Sequence, residues 1–163
     1  MPPRTGETPS VAEVLARVNE AFGEVQRPEI FYRGTCRCEE CEEHNETMEA
    51  HTPETLSLEQ GSNPGWDPIC MASDHAFAYF VPALVRLCFA DPYYSDQFLF
   101  HLNSPGRAEY LNKAQAKALQ TAIWLMVAQM EPFPRGPLHV DSADEALRRM
   151  ERIVAGEPPS EHS

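Results

Sequence analysis

Three cysteines, two histidines and six glutamates stand within the seventeen residues TCRCEECEEHNETMEAH, Thr35 to His51. Cys36, Cys38, Cys41 and His44 make a C-x-C-x2-C-x2-H pattern of soft and borderline donors. Zinc takes four such ligands tetrahedrally, and the Cys38-x2-Cys41 step has the spacing of one half of a zinc knuckle, where a tight turn aims two sulfurs at one ion. The Cys36-x-Cys38 step is less usual, so His51, Cys70, His75 and His101 stay open as alternative donors. The expectation is one zinc ion held by Cys36, Cys38, Cys41 and His44. Four protein ligands would make a closed structural site, and three with a water would leave it open for chemistry. Copper(I) is a rival for thiolates, and an iron–sulfur cluster would need Cys70 or Cys88 as a fourth sulfur. Without a metal the cysteines would be surface thiols or small inward-packing hydrophobes.

The same stretch is strongly acidic. Glu39 to Glu59 carries eight glutamates and no Lys or Arg, which is −8 of a formal net charge of −12. This balance argues against nucleic acid, whose binding rests on neutralising phosphates with Lys and Arg, and against anionic membrane surfaces. A cationic protein would meet this segment first, so Glu42, Glu43, Glu46 and Glu49 are the candidate partner-facing residues. The plainer reading is a solvated polar stretch, as charge runs usually are.

Other chemistry is thinner. Asp74-His75 could be a carboxylate-oriented imidazole, and His101, after the apolar Phe98-Leu99-Phe100, could join His75 as a base or a second metal site. A lone histidine near a helix start is more often a cap or a satisfied core residue. No P-loop, dinucleotide fingerprint, G-x-S-x-G or HExxH motif is present.

The elements that must position these residues read as helices. A chain of 163 residues with 42% hydrophobic and 23% charged residues is long enough for one domain with its own core, and its fifteen prolines punctuate it often. Ser10-Val11-Ala12-Glu13 is a capping box, and Val11, Val14, Leu15, Val18 and Phe22 give an amphipathic helix to about Gly23. Residues 24–35 read as an extended connection with Ile30-Phe31-Tyr32 as its apolar anchor. Glu39 to Ala50 permits a short helix, with too little apolar content to bury a face. Residues 51–68 read as a long loop pinned at Trp66.

Ser73 caps a segment that is apolar nearly all round to residue 90, which belongs at the centre of the domain. Pro82 is expected to kink it, and Arg86 must reach solvent or a carboxylate. Ser95 opens a short helix through Leu102. Asn112 with Gln115 starts another whose inner side is Ala116, Leu119, Ile123, Trp124, Val127 and Met130, stopped by Pro132 and Pro134. A second capping box, Ser142-Ala143-Asp144-Glu145, opens the last helix, with Ala146, Leu147, Met150, Ile153 and Val154 inward. Trp66 and Trp124 read as core aromatics. The sum is an all-α domain over residues 10–155, five or six helices around segment 73–90, with flexible tails at 1–9 and 156–163.

The chain resembles a bacterial family of small all-helical proteins classed as a domain of unknown function. The resemblance is carried by Ala21-Phe22, the run Cys36 to His44, Trp66, the run Ala76 to Leu87 and Phe98 to Leu102. It implies a shared helical fold in which the cysteine cluster and the aromatic helix belong together, and implies no activity.

No secretory or membrane-spanning pattern is seen. Clustered thiols fit a reducing compartment, so a cytoplasmic protein is expected. Two functions fit these features: an acidic, zinc-stapled protein that covers a basic partner, as an immunity protein covers its toxin, or a metalloenzyme or metal-handling protein using the cluster with an interior histidine.

Overall fold

The computed structural model describes residues 8–130 and 137–158. Among them the chain is all-helical: α1 (Val11–Phe22), α2 (Glu39–Ala50), α3 (Leu58–Gly61), a 3-10 turn (Pro68–Met71), α4 (Asp74–Ala90), α5 (Tyr94–Leu102), α6 (Lys113–Met130) and α7 (Pro137–Ala155). No helix among these residues is long and apolar enough to cross a membrane. Most of both expected tails, and the stop at Pro132 and Pro134, lie outside the described residues.

Local signals act where they were read. The Ser10 hydroxyl accepts from Glu13 N at 3.2 Å while Glu13 Oε2 accepts from Ser10 N at 2.8 Å, so both halves of the box form. Val14, Val18 and Phe22 then point inward from α1. Ser73 caps α4 by accepting from Ala76 N at 3.1 Å. That helix buries Phe77, Phe80, Val81, Leu84 and Val85 completely and continues through Pro82. Asn112 and Gln115 exchange bonds of 2.9 and 3.0 Å at the start of α6. Helices α1, α6 and α7 pack in sequence around one another, with α1 and α5 against α4.

Several expectations need correction. Seven α-helices stand among the described residues, one more than expected, because the stretch read as a long loop contains α3 and leads into the 3-10 turn at Pro68. Leu56 is fully buried there. Arg86 is half-buried and near the Glu54 carboxylate, and its hydrogen bonds go to backbone: it donates to the Pro53 and Leu56 carbonyls at 2.9 and 2.8 Å, tying that segment to α4. The last helix starts at Pro137, with Ser142 inside it. Proline at the first helical position lacks only an N–H that would have no intrahelical partner, so it starts a helix at no cost. The short fifth helix begins at Tyr94, and Ser95 is buried within it. Along α6 the buried line is Ala116, Leu119, Ala122, Ile123 and Met126, leaving Trp124 and Val127 half-buried.

The 24–35 connection positions the candidate site. Phe31 is the buried anchor of the 24–35 connection, whereas Ile30 is exposed. Around it the connection is zipped to the segment before α4: Arg33 N donates to Met71 O at 2.6 Å, Ser73 N donates to Phe31 O at 2.8 Å, and Tyr32 bridges Ala72.

Candidate metal centre

The thiols of Cys36, Cys38 and Cys41 converge. Gly34, at φ 84°, adopts the left-handed conformation that lets the chain turn out of the Arg33–Met71 pairing. Arg37 lies over the Tyr32 ring at 4.5 Å and donates to Cys36 O at 3.1 Å, which fixes the loop. Cys38 is then the N-cap of α2, and Cys41 is the third residue of the helix. Those are the positions whose side chains meet in a capping box, so the CxxC spacing brings two sulfurs together by helix geometry alone. Cys38 makes no side-chain capping bond.

The Cys36 and Cys38 sulfurs lie 3.3 Å apart, and all three fall within 4.8 Å of one another. Tetrahedral zinc with Zn–S bonds near 2.3 Å needs sulfurs about 3.8 Å apart. Small adjustments would therefore seat an ion on three corners of a tetrahedron. The Cys38 backbone N–H, then the neighbouring thiols, hold the Cys36 thiol below its ordinary range. Cys41, bonded to Cys36 and Cys38, is pushed up to about 12. Cys36 thus ionises before Cys41.

His44 is not brought to the trio. It is 2% exposed on the inner side of α2, its ring 4.7 Å from that of Trp66 and its Nε2 3.6 Å from Glu40 Oε1. Together Cys41, His44 and Met48 give α2 the buried face that its composition did not promise. The alternative donors lie elsewhere: His51 Nδ1 is 2.7 Å from Thr47 O, and His75 Nε2 is 2.8 Å from Gln26 O. Asp74 pairs with Arg33 and does not orient His75. Glu42, Glu43, Glu46 and Glu49 are all exposed on α2. Trp66, read as core, is 43% exposed.

A second convergence joins Asp67, Cys70 and His101, whose ligand atoms also lie within 4.8 Å of one another. Asp67 caps the 3-10 turn by accepting from Ile69 N at 2.9 Å, which aims its other oxygen at His101 Nε2, 2.5 Å away. Gln97, one turn before His101, donates to the same oxygen and to Gly61 O. The Arg107 guanidinium, buried over the Phe77 ring, donates to Ile69 O at 2.6 Å and Ala72 O at 3.1 Å and so holds the turn carrying Cys70. The trio lines a cleft of about 550 Å³. Sequence reading put His101 with His75. Asp67 and Cys70 show only as Asp-Pro-Ile-Cys, a capped turn, and nothing in that spacing points to a histidine 34 residues beyond Asp67.

No protein-family model matches this chain, and no curated protein or solved structure does. The family resemblance therefore rests on the residues quoted for it.

Proposed function

We propose that this is a zinc-binding docking protein, in which Cys36, Cys38 and Cys41 hold the ion and the acidic outer face of α2 receives a cationic protein partner. The observation that carries the reading is that one helix bears both features. Its N-terminus supplies Cys38 and Cys41, and its exposed side carries Glu42, Glu43, Glu46 and Glu49. Zinc suits the CxxC turn and tolerates exposed thiolates. Three protein sulfurs leave a fourth position for water or for a donor brought by the partner. The carboxylates repel one another in the free protein, and a cationic surface relieves that repulsion while being steered by it. In the immunity-type form of this reading, the partner is a basic toxin.

The test has two parts. Protein purified under reducing conditions without added metal should carry close to one equivalent of zinc at this site; less than about a tenth of an equivalent of any transition metal ends the reading. Replacing Glu42, Glu43, Glu46 and Glu49 together with glutamine should slow association with a cationic partner and flatten its salt dependence, with metal content unchanged. Exposed charges are screened beyond about 8 Å near physiological ionic strength, so the effect belongs mainly to the association rate. An unaltered rate across a range of salt would reduce the glutamates to a solvated surface.

A further inference from the structure

We propose that Asp67, Cys70 and His101 form a second metal centre, open to the cleft beside it and independent of the Cys36, Cys38 and Cys41 site. One oxygen, one sulfur and one imidazole nitrogen are a mixed donor set that tetrahedral zinc or cobalt(II) accepts. Such an ion needs its ligands about 3.3–3.8 Å apart, inside the 4.8 Å span already present. Asp67 and His101 side chains are each 1% exposed, and one hydrogen bond of 2.5 Å, with its proton, joins Oδ2 to Nε2. An ion entering there takes the place of that proton and of the Cys70 thiol proton, both of which leave to solvent.

A second observation points to a ligand. Tyr94, 3% exposed, lines the same cleft, and its hydroxyl has no hydrogen-bond partner. A buried hydroxyl left unpaired loses the hydrogen bonds it makes to water in the unfolded chain. A bound water or ligand donor group in the cleft would satisfy it.

The supporting shell is that of a built site. Asp67 is oriented by Ile69 N and Gln97, His101 stands in the last turn of α5, and the Cys70 turn is fixed by Arg107. Three protein ligands leave the ion one position, and Cys70 is exposed on the cleft side. Asp67, Asp91 and Asp96 all line the cleft, so the occupant of that position is a neutral or cationic small molecule with a donor atom.

Cobalt(II) is the probe. The wild-type chain should bind about two equivalents, and the Cys36→Ser, Cys38→Ser, Cys41→Ser variant about one, with tetrahedral d–d bands and a thiolate charge-transfer band. Adding Cys70→Ala to that variant should remove the charge-transfer band and weaken binding at least about tenfold. Imidazole, a small neutral donor, should shift the remaining d–d bands. If the triple variant keeps its helical circular dichroism and binds less than about a tenth of an equivalent, the second centre does not exist. Should the triple variant not fold, Cys70→Ala alone decides: one equivalent lost supports the centre, and unchanged stoichiometry and spectrum overturn it. Bands indifferent to imidazole would overturn the open position. Because the two sites are counted separately, a wild-type chain binding one equivalent that Cys70→Ala abolishes would defeat the thiolate-trio reading and leave this one standing.

Discussion

Cys41 holds its proton far more firmly than Cys36 does. It is 7% exposed on the inner side of α2, and its bonds to Cys36 and Cys38 hold it near 12. A metal binds only the thiolate, so an ion seated on this trio must displace the Cys41 proton at neutral pH. Protons compete with metal, and affinity must fall as pH falls. Calorimetric titration of zinc into apo protein, in buffers of different ionisation enthalpy near pH 7, should show about two to three protons released per ion from this site. Release of none would mean that the sulfurs are not the ligands. Arg107 gives the opposite kind of test. Its Nη2 serves two carbonyls, but its Nε and Nη1 are buried without partners. Arg107→Met forfeits the carbonyl bonds and also relieves a poorly satisfied buried cation, so the two effects offset and global stability should move by no more than about 1 kcal/mol. The local effect should be plain: amide exchange at Ile69 to Ala72 should quicken at least about tenfold. A large drop in denaturant midpoint with no local change would contradict this.

At the scale of the element, α2 has unequal ends. Its C-terminus is capped by Arg27, which donates to Glu49 O at 2.5 Å and His51 O at 3.0 Å, as a basic group does for orphan helix carbonyls. Its N-terminus has no side-chain cap, and the thiols stand where a cap would be. The helix rests chiefly on the 3-10 turn and gives the core one side chain, Met48, beside those of α1, α4, α5, α6 and α7. Chelation should therefore expose the N-terminal half of α2 and the preceding loop to protease while most helical circular dichroism persists. Global unfolding on chelation would show the metal to hold the whole fold. The sequence and the structure agree best where a rule is purely local. Ser10, Ser73 and the Asn112–Gln115 pair cap helices because a hydroxyl or amide meets a backbone donor a few residues away. The CxxC trio was legible for the same reason, being one turn entering one helix. His44 was misplaced because a spacing of three from Cys41 puts it one turn further along the same face, where burial against Trp66 competes with reaching the metal. Cys70 and His101 were legible as donors, but their meeting with Asp67 was not, since it is made by α5 docking on the 3-10 turn, and no single-sequence period encodes docking.

At the scale of the whole molecule, the charge and the two convergences are linked through one strip of chain. Residues 31–33 lead into the thiol trio, and they are hydrogen-bonded to Met71 and Ser73, immediately past Cys70. Trp66 stands at this junction. Its indole packs on His44 of α2 at 4.7 Å, and Asp67 is its chain neighbour. The molecule's other tryptophan, Trp124, is half-buried in α6, outside both groups. The protein thus carries its own optical gauge. Stripping the metal should loosen α2, part His44 from the 43% exposed indole and move the tryptophan emission to longer wavelength; restoring zinc should bring it back. Trp66→Phe should leave an emission that ignores metal altogether. An unchanged titration in that variant would place the reporting ring in α6, and with it a coupling from the thiolates through to the core.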